Sequence, residues 1–141
     1  MTEEEEARIT ALERRQWLDP SHPNHPTKRQ WGSYRVLTRG KGWAIKTLCF
    51  NPNSSLSLQK HKFREEAWII LSGEGLFWKE GLDQCIPVKQ GACFNIPKNH
   101  LHWMRNTSQK EDLIVLEAWL GTVLNEEDIE RIQDETIIPI K

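Results

Sequence analysis

The chain has 141 residues, the size of a single domain and enough to bury a hydrophobic core. Nineteen basic residues meet twenty acidic ones for a net charge of -1, which argues against a general nucleic-acid binder. No apolar run reaches the ~18 residues of a membrane span, and the acidic start is unlike a secretory signal. Three cysteines without paired spacing predict reduced thiols and therefore a cytoplasmic protein. From the charge balance and the lack of a long apolar run, we expect no nucleic-acid or membrane partner.

The first thirty residues are predicted to be a helix followed by an extended arm. Residues 3 to about 18 place Ile9 and Leu12 on one helical face and begin with glutamates, which suit a helix N-terminus. Three prolines between Asp19 and Gln30 exclude a regular helix or a central strand there. We assign residues 1–30 to this helix and proline-rich arm, which is expected to pack on the domain or on a partner subunit.

From Trp31 onward, short β-type runs alternate with turn signals. The predicted strands are Tyr34–Thr38, Trp43–Phe50, Leu56–Gln59, Ala67–Ser72, Gly75–Lys79, Cys85–Val88, Ala92–Ile96, His102–Arg105 and Leu113–Trp119. Many short strands at this spacing predict an all-β sandwich or barrel. The domain is expected to span residues 31–135 and to close with a short helix capped by Asn125, before a tail over 136–141.

Two histidines, a carboxylate and an amide in the β region form a candidate metal site. Gln59 and His61 are two residues apart, so a strand points both to one face. Glu66 begins the next apolar run, and His102 follows His61 by forty-one residues. These groups suit a first-row metal, although the same spacing also fits a polar network without metal.

The wider spacing resembles the two signature motifs of the cupin superfamily. Five residues separate Asn53 from Gln59, four separate His61 from Glu66, and six separate Glu66 from Gly73. The second motif is carried by Gly91, Pro97, Asn99, His102 and Asn106. Asn53 and Asn99 replace glycines of the superfamily pattern, and asparagine tolerates the positive φ of such turns. The resemblance implies a double-stranded β-helix, or jelly-roll barrel, with short N- and C-terminal helices.

Within the cupins, the chain is similar to the type II phosphomannose isomerase family. Gln59 in the first ligand position, the segments 56–61 and 64–68, and a closing segment over 120–131 carry the likeness. It extends over about residues 29 to 135. The resemblance implies a metal-dependent isomerase that interconverts mannose 6-phosphate and fructose 6-phosphate through an enediol. In that family the domain is often fused behind a mannose-1-phosphate guanylyltransferase.

The resemblance also implies roles for individual residues. The implied metal ligands are Gln59, His61, Glu66 and His102. A divalent cation is expected, zinc first, with iron, manganese, cobalt and nickel as the other options. Lys46, Arg64 and Glu117 match family positions and are the implied catalytic residues, and His100 joins them because it lies two residues from a ligand. The expected substrate contacts are Lys46 and Arg64, with Trp103, which follows His102, and Trp119 as aromatic candidates. The implied partner is a small-molecule sugar phosphate, and a homodimer is expected by analogy with other cupins.

Four positions depart from that family's usual residues. Phe63 and Ala67 replace histidines, Trp103 replaces an arginine, and Trp119 replaces a glutamine. If these side chains face the cavity, aromatic rings stand where polar groups would, and a ring does not hold phosphate as arginine does. Two alternatives therefore stay open. One is a non-catalytic, metal-containing cupin that binds a sugar or sugar nucleotide, and the other is a non-haem iron oxygenase-type cupin.

Overall fold

The computed structural model describes residues 2–5 and 25–139, and its fold is almost entirely β. The strands of these ranges are β1 (Thr27–Arg29), β2 (Gly32–Gly40), β3 (Trp43–Phe50), β4 (Gln59–Lys60), β5 (Arg64–Ser72), β6 (Glu74–Lys79), β7 (Ile86–Lys89), β8 (Cys93–Ile96), β9 (His102–Asn106), β10 (Leu113–Gly121) and β11 (Glu130–Arg131). Residues 3–5 are helical, whereas the rest of the predicted N-terminal helix and residues 19–24 of the arm lie outside the described residues. Among the described residues, no helix has the length and apolarity to span a membrane.

The strands form two antiparallel sheets around a shared interior. The six-stranded sheet has the order β1-β2-β3-β10-β5-β8, and the five-stranded sheet has the order β11-β4-β9-β6-β7. Neighbours in each sheet are mostly distant in sequence, because the chain crosses repeatedly between the sheets. The architecture confirms the predicted all-β jelly-roll barrel. Strand β1 lies at a sheet edge, which is where the preceding prolines allow a strand.

Every second side chain of a strand faces the interior of the barrel. These inward-facing side chains are apolar at one end of the barrel and mostly polar at the other. In β10, Leu113 and Val115 enter the apolar core, and Glu117 and Trp119 continue the same face towards the polar end. The apolar end is filled mainly by Leu48, Phe50, Trp68, Ile70, Phe77, Ile96, Met104, Leu113 and Val115. The buried polar residues are Lys46, Gln59, His61, Arg64, Glu66, His102, Asn106 and Glu117. Most of these polar residues converge at one end of the barrel, where the candidate site lies.

The motif asparagines occupy the turns that the sequence predicts for them. Asn53 and Asn99 have φ values of 59° and 61°, in the left-handed region where the superfamily pattern has glycine. The buried Asn106 amide donates to the carbonyl oxygens of Phe50, Asn51 and Glu111 at 2.8–3.1 Å. These asparagines therefore fix the loops that begin and end the motif strands.

The predicted C-terminal helix is wrong. Asn125 does cap a turn, since its Oδ1 accepts from the backbone N–H of Glu127 at 2.9 Å. The chain then runs into β11, which pairs with β4, and the N–H of Ile132 donates to the carbonyl of Leu58 at 2.8 Å. The open edge of β4 supplies backbone partners that a short isolated helix would have to find within itself. Further along, Ile138 packs with Leu58 in a second core cluster on that sheet.

Candidate metal centre and pocket

Three potential metal ligands converge at the polar end of the barrel. His61 follows β4, Glu66 lies in β5, and His102 begins β9. Their ligand atoms all lie within 4.8 Å of one another, and all three residues are buried. The Nε2 atoms of both histidines lie 3.5 Å from the Glu66 carboxylate, one near each oxygen. Gln59 pairs with His102 across β4 and β9, which brings the fourth predicted ligand to the same place.

Both histidines present a lone pair to this centre. The Nδ1 of His61 lies 2.6 Å from the carbonyl oxygen of Asp128, and the Nδ1 of His102 lies 3.0 Å from that of His100. A carbonyl only accepts, so Nδ1 carries the proton and Nε2 faces the centre unprotonated. Burial lowers the pKa of His61 to about 4, helped by the positive charge of Arg64. Burial and the neighbouring His61 lower the pKa of His102 to about 3.

The donor set fits a divalent metal. Among the described residues, neither Glu66 Oε1 nor His102 Nε2 has a hydrogen-bond partner, although both atoms are buried. Burying such atoms without a partner is costly, and a cation between them removes that cost. Two neutral imidazoles, a carboxylate and an amide oxygen suit first-row metals.

Gln59 would serve as a metal ligand only after its side-chain amide rotates by half a turn. Its Oε1 accepts a hydrogen bond from the hydroxyl of Ser57 at 3.0 Å, and its Nε2 lies 3.4 Å from His61 Nε2. The amide nitrogen therefore faces the histidine, whereas a metal ion requires the oxygen. Rotation about the last side-chain bond exchanges the two atoms without moving the backbone.

A cavity of about 570 Å³ opens in front of the ligand cluster. Gln59 and Arg64 belong to its wall, while the histidines and Glu66 lie behind them. The other polar and aromatic wall residues include Arg29, Tyr34, Lys46, Trp68, Glu117, Trp119, Glu126 and Arg131. The volume and the mixture of rings and charges suit a small polar ligand.

Glu117 is held between two tryptophans in this wall. The indole N–H of Trp68 donates to Glu117 Oε2 at 2.9 Å, and that of Trp119 donates to Oε1 at 2.7 Å. The sheet register sets this arrangement, since Glu117 pairs with Trp68 on one side and with Lys46 on the other. Burial, and next the negative charge of Glu66, raise the pKa of Glu117 to about 8. Glu117 is thus a buried carboxyl group that two indole N–H groups hold in place.

Two cations share the ring of Trp119. The Nζ of Lys46 lies 3.3 Å from its ring centroid, and the guanidinium carbon of Arg64 lies 3.5 Å from it. Ala44 pairs with Trp119 across β3 and β10, and its small side chain leaves room for the indole. Lys46 also forms an ion pair with Glu126, and burial lowers the pKa of Lys46. Of the four positions that depart from the family's usual residues, Trp119 alone is part of the cavity wall.

Two predicted site residues lie elsewhere. Trp103, expected in the substrate pocket, packs outside the barrel with Leu58, Trp78 and Ile138, because the residue after the inward-facing His102 must point outward. The side chain of His100, expected to be catalytic, turns to the carbonyl of its neighbour Lys98 at 3.0 Å. His100 contacts the ligand cluster through its backbone carbonyl, which accepts from His102 Nδ1 and so orients that ring.

The turn at residues 125–128, predicted only as the start of a helix, contacts both the ligand cluster and the pocket. The Asp128 carboxylate accepts from the backbone N–H groups of Lys62 and Phe63 at 2.8 and 2.9 Å. Its carbonyl orients His61, and Glu126 pairs with Lys46. The available signal was the resemblance of residues 120–131 to the family's closing segment, because hydrophobic periodicity does not mark such a turn.

The two-sheet barrel and its buried cluster of two histidines and a carboxylate define a cupin. The capsular polysaccharide assembling protein CapF from Staphylococcus aureus shares the fold with a TM-score of 0.63 and 16% identity, covering 79% of this chain and 35% of that one. A double-stranded β-helix protein from Klebsiella pneumoniae has a TM-score of 0.61 and 14% identity, covering 85% of this chain and 94% of that one. At these identities the likeness shows the fold alone.

The chain belongs to the family described as mannose-6-phosphate isomerase C-terminal, which it matches over residues 19–134. Mannose-1-phosphate guanylyltransferase RfbM from Salmonella typhimurium is 32% identical over 108 residues, which are 77% of this chain and 22% of that protein. Alginate biosynthesis protein AlgA from Pseudomonas putida is 34% identical over 106 residues, 75% of this chain and 21% of that protein. The chain thus spans about a fifth of the length of these relatives, and the predicted family is confirmed.

Proposed function

We propose that this chain is a metal-dependent sugar-phosphate isomerase that interconverts mannose 6-phosphate and fructose 6-phosphate. The observation that carries the proposal is the convergence of two neutral histidines and Glu66 behind a cavity whose wall holds Glu117 and two cations. An aldose–ketose isomerase needs these three elements: polarisation of the sugar oxygens, a proton carrier, and a phosphate site. The family description and the sugar-phosphate enzymes among the relatives support the same substrate class.

In this proposal Gln59, His61, Glu66 and His102 hold the metal, with zinc as the first expectation. When bound, the metal polarises the carbonyl and hydroxyl oxygens of the sugar and so acidifies the adjacent C–H. Glu117 takes the proton from one carbon to give an enediol and returns it to the neighbouring carbon. Its pKa of about 8 suits both halves of this exchange near neutral pH.

Lys46 and Arg64 are proposed to bind the phosphate, and Trp119 to hold both cations in place and to border the sugar with the edge of its ring. Both cations lie on the indole of Trp119, so a phosphate at the cations brings the attached sugar close to the ring. The exocyclic phosphate carries the charge that the two cations would bind, and the remaining wall of the cavity would enclose the sugar.

The test is isomerisation by protein loaded with Zn²⁺, followed in both directions between the two hexose phosphates. Turnover is expected for the native chain and should fall by roughly a hundredfold or more in Glu117→Gln, which keeps the shape but loses the proton carrier. His61→Ala, which removes a metal ligand, should be inactive. Native protein with stoichiometric metal and no turnover would contradict the proposal, as would full activity in Glu117→Gln.

A second candidate is a metal-containing cupin that binds a sugar or sugar nucleotide without converting it. Two observations favour it: Trp119 adds an aromatic surface to the wall, and Lys46 is already paired with Glu126. Binding of mannose 6-phosphate would then change tryptophan fluorescence in the absence of turnover, and Trp119→Phe would reduce that change. Measurable isomerisation would exclude this alternative.

A further inference from the structure

Arg64 is the residue that separates the cavity from the ligand cluster. Its side chain is buried, and it belongs to the cavity wall. Its Nε donates to Glu66 Oε2 at 2.8 Å, and its Nη2 lies 3.3 Å from His61 Nε2. Its Nη1 donates to the carbonyl oxygens of Asn125 at 3.1 Å and Asp128 at 3.4 Å. The guanidinium is therefore held on several sides, with one edge against two of the proposed metal ligands.

Of the atoms that Arg64 contacts, only His61 Nε2 would have to leave Arg64 for a metal ion to bind. Glu66 offers its second oxygen, Oε1, and His102 offers Nε2, and neither has a hydrogen-bond partner among the described residues. A cation at these two atoms leaves the Arg64 bond to Glu66 Oε2 undisturbed. The Nε2 of His61 is different, because a neutral imidazole nitrogen has one lone pair and gives it either to an N–H or to a metal. Arg64 Nη2 at 3.3 Å and Gln59 Nε2 at 3.4 Å both lie against it, and only Gln59 has an oxygen that can itself turn to the metal.

We propose that Arg64 competes with the metal for His61 Nε2 and thereby sets the metal affinity of the centre. Metal binding displaces Nη2 from His61 while Nε stays on Glu66, so that the freed N–H groups turn into the cavity. The guanidinium then stands beside the metal and faces the ligand, where an anionic group can accept from it. This inference depends on the metal centre of the proposed function and concerns how that centre is loaded.

The test compares Co²⁺ dissociation constants, read from the visible absorption of the ion, in the metal-free native chain and in Arg64→Met. The substitution removes the competing N–H and a positive charge, so the dissociation constant should fall by roughly tenfold. Arg39→Met is the matched control: it removes one arginine from an exposed position of β2 and should leave the constant unchanged. An unchanged or higher dissociation constant in Arg64→Met would overturn the proposal.

Arg64→Lys distinguishes the effect of the guanidinium contact with His61 from the effect of the positive charge. It also replaces Arg64→Met in the test if that variant does not fold. Lysine keeps the positive charge, but one ammonium group does not span Glu66 and His61 as the planar fork does. The proposal expects Co²⁺ to bind Arg64→Lys more tightly than the native chain. Equal affinity would mean that charge alone acts and would overturn the competition while leaving the metal centre intact. Absence of Co²⁺ binding in all four proteins would overturn both the competition and the proposed metal centre.

Discussion

Glu117 has an unusual proton affinity because both of its oxygens are buried. The unfolded chain releases this proton near the ordinary pKa of 4.5, whereas the folded chain keeps it until about pH 8. Between these values the unfolded state binds fewer protons, so the free energy of unfolding falls as pH rises. The expected slope is about 1.4 kcal/mol for each pH unit.

Glu117→Gln tests this dependence. Glutamine does not titrate, so the difference in unfolding free energy between native chain and variant should change steadily between pH 5 and pH 8, in favour of the variant at higher pH. Glutamine also loses one indole hydrogen bond, since its amide nitrogen cannot accept, but that loss is a constant offset. Urea unfolding of chelator-treated protein at several pH values measures the difference. Parallel pH profiles would mean that the pKa of Glu117 is not raised.

At the residue scale, the sequence predicted positions best where a backbone rule applied. Asn53 and Asn99 lie at positive φ because the motif turn requires it. Trp103 was expected in the pocket because it follows His102, but strand alternation places the residue after His102 on the opposite face. The link between Glu117 and two indoles was not predictable, since it depends on the register between β5 and β10.

The turn at residues 125–128 contacts both the proposed metal ligand His61, through the Asp128 carbonyl, and the pocket residue Lys46, through the Glu126 side chain. Asp128 makes three of the turn's contacts. Its carboxylate accepts from the N–H groups of Lys62 and Phe63, and its carbonyl orients His61. Asp128→Ala should lower the free energy of unfolding by about 1–2 kcal/mol through the lost caps. It should also weaken metal binding roughly tenfold, because the turn that carries the carbonyl bound to His61 is no longer held in place by the Asp128 carboxylate.

Asp83→Ala, at an exposed position between β6 and β7, is the control for that substitution. Chemical denaturation and a Co²⁺ titration of both variants provide the two readouts. A stability loss without a change in Co²⁺ affinity would mean that the turn holds the fold but not the histidine.

Glu126 forms an ion pair with Lys46, one of the two cations that are proposed to bind phosphate. The Glu126 side chain is 44% exposed and that of Lys46 is 3% exposed, so solvent or an anion reaches this ion pair from the Glu126 side. Glu126→Gln should therefore increase the affinity for inorganic phosphate by roughly two- to fivefold. The neighbouring exposed Glu127 provides the matched control, since Glu127→Gln removes the same charge without touching Lys46. Equal phosphate affinities in the two variants, measured by calorimetry, would count against Lys46 as the anion site.

At the element scale, the sequence located strands far better than it located this turn. Strand β3 was predicted from end to end because a run of β-type residues lies between two turn signals. Residues 125–128 were assigned to a helix because Asn125 and Asp128 have capping spacing. The actual partners of the Asp128 carboxylate, the amides of Lys62 and Phe63, are more than sixty residues away and leave no local signal.

In the whole molecule, the proposed metal would join parts of the barrel that are distant in sequence. Glu66 belongs to the six-stranded sheet, while Gln59 and His102 belong to the five-stranded sheet. The two sheets otherwise meet mainly through the apolar core at the other end of the barrel. The homodimer stays a prediction, independent of this intramolecular link.

Metal should therefore stabilise the folded chain, since a preformed set of four donors exists only when the sheets are packed. At a free Zn²⁺ concentration of about one hundred times the dissociation constant, binding adds about 2.7 kcal/mol to the free energy of unfolding. For a domain of this size that corresponds to a rise of roughly 5–10 °C in Tm. Glu66→Gln keeps the shape of the ligand but loses its charge, so its Tm should respond much less to Zn²⁺. An equal response in both proteins would mean that Zn²⁺ binds elsewhere, because only the charged carboxylate joins the two sheets through the metal.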